Sequence, residues 1–532
     1  MVEESLLYVI ALLFAVMLLV ILGQKLRIAY PVFLVIGGLL ISLVPGAPLT
    51  GISPDLIFLI FLPPLLYEAA WFTSWPNFWK MRWPIALHGF GLVIVTSVIV
   101  AYVSEKLIPR FTLSIGLLLG GIISPPDAVS ASSVLKFFKI PKKVKTVLEG
   151  ESLVNDAASL TVFRFALAAV ISGTFVFHKF ADSFLVVTLL GIVVGLFIAQ
   201  IIYFIHKLFV TTSSIATALT LITPYVMYLT AEHFHVSGVL AVVSGGLFLS
   251  YRSKDILNYK ARVQAIGVWT TLTFILNGLI FILIGLQLPL VVNSLKYYSL
   301  AEAFRYSLFI TGLIILIRIV WMYAATYLPY IINKNLNKNI LKPNPSEIFL
   351  VGWAGMRGVV SLASALAIPV TLADGKEFPE RDLVLFISFM VILVTLVLQG
   401  LTLPWVIKKL NLKEDRLEIP ADIQMQQIHL RLMKLSIAHI EEKYQALIQS
   451  NTLVKNYKKN LEEDMDFTMA NIECLKNDEN ERHQVEEFNQ VRLDLGEYLT
   501  RQLTILRLQK VFDEDIIRRE EDRIDLEQNK IG

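Results

Sequence analysis

Long apolar segments alternate with short polar connections throughout the first 410 residues of this chain. A helix of about 20 apolar residues is long enough to cross the hydrocarbon core of a bilayer. By this criterion the pattern predicts thirteen transmembrane segments, at residues 5–23, 30–46, 54–71, 84–104, 112–136, 148–173, 182–208, 213–232, 236–250, 264–289, 301–331, 346–371 and 383–408. We therefore expect an all-α polytopic membrane protein with about 13 transmembrane helices.

The pattern changes directly after Lys408 and Lys409. Residues 411–532 are rich in charged side chains, and their apolar positions recur at helical spacing, for example at Ile428, Leu432 and Leu435. We therefore predict two domains, a transmembrane domain at residues 1–410 and a cytoplasmic helical tail at residues 411–532. We expect the tail to form either a small bundle or a dimerising element, and we consider it a candidate binding site for an unknown regulator.

The basic residues of the short connections indicate how the chain is oriented. Positively charged loops stay on the cytoplasmic side of a membrane. Alternate connections carry seventeen lysines and arginines on one side and seven on the other. This bias predicts an N-terminus outside the cell membrane and a cytoplasmic C-terminus, which requires an odd number of spans.

Composition narrows the class of protein further. Of 532 residues, 55% are hydrophobic and 17% are charged, and the net charge of +3 gives no reason to expect a nucleic-acid partner. The single cysteine, Cys474, excludes an intrachain disulfide and a cysteine metal site. The N-terminus lacks the basic region of a cleavable signal peptide, so its first apolar run is interpreted as a retained helix. Neither a nucleotide-binding motif nor any other cofactor motif occurs, and we expect no cofactor.

A polar cluster within the sixth segment indicates the chemistry. Residues 150–156 read GESLVND and are followed by apolar sequence, so their ionisable groups enter the bilayer at a cost of ~2.5–3.5 kcal/mol each. On a helix, Ser152, Asn155, Asp156 and Ser159 share one face. Hydroxyl, amide and carboxylate oxygens suit a hard cation. Because burial disfavours the charged carboxylate, a proton can replace the cation at the same oxygen. The alternative is a polar patch that holds helices together.

Two further segments are predicted to be discontinuous. Residues 120–127 read GGIISPPD, and glycines and prolines there interrupt the helix just before Asp127, which can complement the positive end of the next half-helix. Residues 352–358 read GWAGMRG and carry Arg357 at a second interruption. The interruptions fall in spans 5 and 12, which correspond if spans 1–6 and 8–13 form two inverted six-helix repeats. Arg318, deep in span 11, needs a carboxylate partner, and Glu151 and Asp127 are the candidates.

Four motifs resemble the bacterial sodium/proton antiporters of the monovalent cation:proton antiporter-1 (CPA1) family. They occur in order, as FLPPLLYE at residues 61–68, GESLVND at 150–156, GMRG at 355–358 and LQGLTLP at 398–404. The resemblance covers roughly residues 1–410 and is looser in the tail. It implies a homodimer in which a six-helix core moves against a dimerisation domain.

The resemblance also implies roles for individual residues. It assigns the exchanged ion, a transported Na⁺ or K⁺, to Asp156, with Ser152 and backbone oxygens near the first interruption assisting. Asn155 fills a position that a second aspartate occupies in electrogenic relatives, which implies one-for-one electroneutral exchange. The remaining core charges are implied to pair with each other, Glu151 with Arg318 and Asp127 with Arg357.

The function expected from the sequence is secondary active antiport, in which a protein embedded in membrane lipid exchanges Na⁺ for H⁺ across the membrane. The expected mechanism is alternating access around Asp156. The same mechanism with K⁺ or Li⁺ as the cation stays open, because oxygen ligands alone do not discriminate between these ions. A cation channel that is gated by the tail is an alternative from another class of membrane protein. An enzyme is not expected, since the helix of the polar cluster contains no histidine or cysteine with which to build a hydrolytic site.

Overall fold

The chain divides into two compact units, Met1–Glu414 and Asp415–Gly532, in this computed structural model. The structure describes residues 2–25, 29–44, 59–138, 140–173, 177–335, 343–372, 375–410, 412, 421–476 and 479–509, with a few isolated positions beyond residue 515. Within this part of the chain the regular structure is helical, apart from an isolated bridge that pairs Thr371 with Glu377.

The first half of the larger unit contains the first interrupted helix and the long helix that carries the polar cluster. A five-residue π-helix, Leu87–Gly91, joins the short helix Arg82–Ala86 to the helix Leu92–Leu107. The helices are α1 (Val2–Lys25), α2 (Tyr30–Ser42), α3 (Leu62–Phe72), α4 (Trp75–Lys80), α5 (Arg82–Ala86), α6 (Leu92–Leu107), α7 (Leu113–Ile123), α8 (Ala128–Leu135) and α9 (Lys142–Ser172).

The second half of the larger unit contains the second interrupted helix. Its helices are α10 (Phe177–Phe209), α11 (Ser213–His233), α12 (Gly238–Tyr251), α13 (Ser253–Ile256), α14 (Tyr259–Asn293), α15 (Leu300–Asn335), α16 (Pro345–Trp353), α17 (Val359–Leu366) and α18 (Arg381–Leu410).

These helices agree with the pattern of apolar segments. In the described residues, eight helical stretches are long and apolar enough to cross a membrane, and three shorter helices are also apolar. Helices α14 and α15 extend several residues beyond the predicted segments, because their polar ends continue the helix past the apolar run. The predicted third segment begins at residue 54, outside the described residues, and its described part is α3. The chain is therefore an α-helical polytopic membrane protein.

Both predicted interruptions are present. The first leaves residues 124–127 non-helical between α7 and α8, and the second leaves residues 354–358 non-helical between α16 and α17. The glycines of the first motif have a different role from the one expected. Gly120 and Gly121 lie inside α7, and a Cβ atom at Gly120 would approach the Ser97 backbone to 2.6 Å. These glycines allow α6 and α9 to pack closely on α7, and the interruption itself begins at Ser124 before the two prolines.

The smaller unit consists of helices that pack on one another. They are α19 (Ala421–Lys443), α20 (Gln445–Ser450), α21 (Thr452–Lys476) and α22 (Glu479–Gln509). An ion pair of 2.7 Å between Lys458 and Glu441 joins α21 to α19. The rings of Phe467 and Phe488 join α21 to α22 at a centroid distance of 5.3 Å. Helical spacing of apolar residues thus predicted the element type of this unit correctly.

Candidate functional site

The polar cluster lies in the middle of α9, which runs from Lys142 to Ser172 without a break. Glu151, Asn155 and Ser159 are buried, whereas Ser152 and Asp156 are half-buried. The apolar residues that follow the cluster are also buried, so the helix is enclosed by protein on this side. Helical spacing therefore brings the predicted site residues to one face of one helix, as expected.

Three side chains of this face attach α9 to the first interrupted helix. Asn155 Nδ2 donates to Pro126 O at 3.1 Å, and Ser159 Oγ donates to Gly121 O at 2.8 Å. Ser152 Oγ accepts a weak hydrogen bond from the Ala128 N–H at 3.4 Å. Non-helical backbone at membrane depth requires such partners, because no water is available there to satisfy it. Ser152, Asn155 and Ser159 thus hold the interruption against the candidate site.

Asp127 begins the second half of the interrupted helix. Its side chain accepts a hydrogen bond from the Val129 N–H at 2.9 Å, which makes it the N-cap of α8. Ser130 Oγ donates to the other carboxylate oxygen at 2.5 Å. A carboxylate is favoured at this end of a helix by the unpaired N–H groups and by the helix dipole. The predicted complement between Asp127 and the half-helix is confirmed.

The Glu151 and Arg318 side chains form a buried ion pair between α9 and α15. The Nη1–Oε1 distance is 2.6 Å and the Nη2–Oε2 distance is 3.1 Å, and each side chain is 1% exposed. Arg318 Nη2 also donates to Val351 O at 3.2 Å, near the end of α16. The structure therefore contains the expected partner for the arginine, and Glu151 is fully engaged.

Asp156 differs from Glu151 in having no fixed partner. Its carboxyl group makes no hydrogen bond or ion pair with any residue that the structure describes. Nearby, Asn155 Oδ1 is buried and accepts no hydrogen bond from the described residues. A carboxylate and a neutral oxygen are thus available on the same face of α9.

The two interruptions contact each other directly. The Asp127 N–H donates to Met356 O at 2.7 Å, and Arg357 Nε donates to Ile123 O at 2.9 Å. Arg357 Nη1 also donates to Gly355 O, and the Arg357 N–H donates to Thr395 Oγ1 of α18 at 3.2 Å. Arginine therefore satisfies backbone carbonyls that the interrupted helices leave unpaired.

The expected ion pair between Asp127 and Arg357 is not formed. Both carboxylate oxygens of Asp127 are occupied by the cap of α8, and Arg357 is directed at the carbonyls of Ile123 and Gly355. The Gly358 backbone also packs against the carboxylate, since a Cβ atom there would lie 2.3 Å from Asp127 Oδ2. Asp127 and Arg357 both stabilise the region where the two interruptions meet, but each side chain binds backbone groups and not the other side chain.

Comparison with known proteins identifies the family. The sequence profile of the family described as "Sodium/hydrogen exchanger, transmembrane" matches residues 9–409, about three quarters of the chain. The chain belongs to the sodium/hydrogen exchanger family. The CPA1 resemblance of its four motifs is thereby confirmed.

Individual members of the exchanger family align over most of this chain. A "Sodium, potassium, lithium and rubidium/H(+) antiporter" of Bacillus pumilus is 33% identical over 76% of this chain and 61% of the relative's own length. An "Uncharacterized Na(+)/H(+) exchanger" of Mycobacterium bovis is 30% identical over 98% of this chain and 96% of its own. The solved sodium proton antiporter MjNhaP1 from Methanocaldococcus jannaschii is 19% identical, with a TM-score of 0.60 over 77% of this chain and 99% of that one. This last likeness shows that the two chains share a fold.

The structure adds site residues that the sequence reasoning missed. Ser130 binds Asp127, and its position three residues after the cap is a spacing from which this contact could have been predicted. Thr395 receives the Arg357 N–H, and Met356 supplies the carbonyl that binds Asp127. No local pattern indicates the last two contacts, because they depend on how α18 and the second interruption pack in space.

Proposed function

We propose that the chain is a secondary active antiporter that exchanges a monovalent cation for a proton at Asp156 by alternating access. The observation that carries the proposal is the contrast between two carboxyl groups of α9. Glu151 is bound to Arg318, whereas Asp156, five residues further along the same helix, has no hydrogen-bond or ion-pair partner in the described part of the chain. An ionisable group at membrane depth that is not paired marks an ion or proton pathway.

The oxygen atoms around Asp156 favour a monovalent ion. Asn155 Oδ1 and the Ser152 hydroxyl are neutral oxygens on the same face, and they add ligands without adding charge. In the described chain, no group of three His, Cys, Asp or Glu side chains could hold a metal ion. One carboxylate with neutral oxygens balances one positive charge, so a bound cation or a bound proton leaves the site equally neutral.

This charge balance supports one-for-one exchange. Asn155 carries no charge. The site around Asp156 is therefore neutral when it changes its access from one side of the membrane to the other, whether it holds Na⁺ or H⁺. We infer that the exchange is electroneutral and that Na⁺ is the main cation. The names of relatives support exchange of monovalent cations in general, since the Bacillus pumilus protein is named for sodium, potassium, lithium and rubidium. K⁺ in place of Na⁺ is therefore the first alternative.

The architecture proposed for this activity has thirteen spans, with spans 1–6 and 8–13 as inverted repeats. The pairing of two interrupted helices at corresponding positions supports it. We further propose a homodimer in the cell membrane, with the N-terminus outside, the C-terminus cytoplasmic and a tail that binds a regulator. The protein is proposed to be a transporter and not an enzyme.

The decisive experiment measures proton movement in proteoliposomes when a cation gradient is applied. Wild-type protein should move protons against an opposing Na⁺ gradient, and Asp156→Asn should reduce this signal to the level of empty liposomes. Asp255→Asn is the matched control, because Asp255 is paired with Arg252 at an exposed helix end and should leave exchange unchanged. Exchange by Asp156→Asn at the wild-type rate would refute the assignment.

Two variations of the same assay test the finer claims. Clamping the membrane potential should not change the exchange rate, and a rate that follows the potential would exclude one-for-one exchange. Replacing Na⁺ by K⁺ or Li⁺ on the opposing side measures selectivity. A signal with K⁺ and none with Na⁺ would change the substrate but leave the role of Asp156 intact.

A further inference from the structure

A cavity of about 680 Å³ lies between α15, α16 and α18, away from the polar face of α9. Its walls are apolar and aromatic, and those used below are Tyr323, Phe349, Trp353, Leu398 and Trp405. Lys409 also lines it, and the described lining contains no acidic side chain. None of the residues that form the antiport site lines this cavity.

The length of the cavity matches one leaflet of a bilayer. Leu398 and Lys409 are eleven residues apart on α18, which separates them by ~16 Å along the helix axis. Half of the ~30 Å hydrocarbon core of a bilayer is ~15 Å. A molecule that reaches from Lys409 to Leu398 thus spans the membrane border and the whole depth of one leaflet.

The chemistry of the cavity changes along this length. Lys409 is exposed at the end of the helix, with its Nζ atom 4.8 Å from the centroid of the Trp405 ring. Tryptophan and tyrosine are enriched where membrane meets water, and basic residues there attract anionic lipid headgroups. Deeper in, the Trp353 Nε1–H donates to Thr402 Oγ1 at 3.1 Å, so the walls are held together where the cavity becomes apolar.

We propose that this cavity binds one anionic phospholipid, with the phosphate at Lys409 and an acyl chain along Phe349 and Leu398. The basic end suits the headgroup, the apolar length suits the chain, and both belong to one membrane-facing groove. A bound lipid would pack α16 against α18 and so support the half-helix that leads into the second interruption. The inference does not depend on which ion is transported.

Competition binding measured by native mass spectrometry tests the proposal. Purified protein is incubated with equal amounts of phosphatidylglycerol and phosphatidylcholine. The measured quantity is the ratio of protein that carries one phosphatidylglycerol to protein that carries one phosphatidylcholine. Wild-type protein should prefer phosphatidylglycerol about fivefold, as expected for one lysine near an anionic surface. Lys409→Gln should remove this preference.

Lys207→Gln is the matched control. Lys207 lies in the last turn of α10 and its Nζ atom is 5.8 Å from the Tyr203 ring centroid, but it does not line the cavity. This variant should keep the wild-type preference. Equal effects of the two lysine substitutions would overturn the proposal, because general surface charge would then explain the binding.

A second variant tests the apolar part of the groove. Leu398→Trp adds bulk at an exposed lining position, so it should fold normally and reduce first-lipid binding at least fivefold. Unchanged binding would show that the lipid lies elsewhere. In a final arm, soluble glycerol phosphate is added to the binding mixture. If it displaced the bound lipid, the proposal of a lipid site would be overturned, and the cavity would be a site for free phosphate.

Discussion

At the residue scale, the crossing of the two interruptions leaves no room for an additional carbon atom. A Cβ atom at Gly358 would meet Asp127 Oδ2 at 2.3 Å and its Cγ at 2.6 Å. We expect Gly358→Ala to lower stability by ~1–3 kcal/mol, as over-packing does, and to reduce exchange in proteoliposomes. Gly312→Ala is the control, because a Cβ atom at this helical position has no neighbour within 4 Å. Equal melting temperatures for the two variants in detergent would contradict this account.

The Glu151–Arg318 pair should show strong coupling between its members. Removing one partner leaves a buried charge uncompensated and costs ~3–5 kcal/mol, whereas removing both leaves no such charge. We therefore expect Glu151→Leu and Arg318→Met each to lower stability more than the double variant does. Chemical unfolding of the four proteins in a double-mutant cycle measures the coupling. Additive effects would show that the pair is not coupled in the folded protein.

At the element scale, α18 presents a polar stripe to the second interruption. Thr395 accepts from the Arg357 N–H, and Thr402 accepts from Trp353 Nε1. Gln399 lies between them, is 0% exposed, and has no hydrogen-bond partner in the described chain for either amide atom. The buried amide is a cost to stability that the packing of α18 offsets.

Two substitutions on this stripe should have opposite effects on stability. Gln399→Leu removes two unsatisfied groups at similar volume, so the melting temperature should stay the same or rise. Thr395→Val deprives the buried Arg357 N–H of its acceptor and should cost ~1–3 kcal/mol. Thermal unfolding followed by intrinsic fluorescence distinguishes them, and a lower melting temperature for Gln399→Leu than for Thr395→Val would contradict the prediction.

The sequence predicted elements better than contacts between elements. Apolar length indicated the spans, adjacent prolines indicated the first interruption, and the cost of burying Arg318 indicated Glu151 as a candidate partner. The Asp127–Arg357 pair was wrong because opposite charge alone does not tell which backbone groups compete for each side chain. The Thr395 contact was missed because it depends on the rotation of α18 against a distant segment.

At the scale of the whole molecule, the single cysteine provides a test of orientation. Cys474 is partly exposed in α21 of the smaller unit, which is proposed to be cytoplasmic. A membrane-impermeant maleimide should label it in inside-out vesicles or permeabilised cells and not in intact cells. Cys474→Ser supplies the background for the measurement. Labelling in intact cells would place the C-terminal unit outside and reverse the proposed topology.

The ion pair between Glu151 and Arg318 also bears on how the protein is made. Its members are 167 residues apart, so α9 is synthesised long before α15. During that interval Glu151 is in the membrane without its arginine, and α15 then brings a charge whose insertion alone costs ~2.5–3.5 kcal/mol. We therefore expect the insertion of α15 to be assisted by Glu151, a partner that is already in place. On this account the order of synthesis matters, because α9 has to be in the membrane before α15 can pair with it.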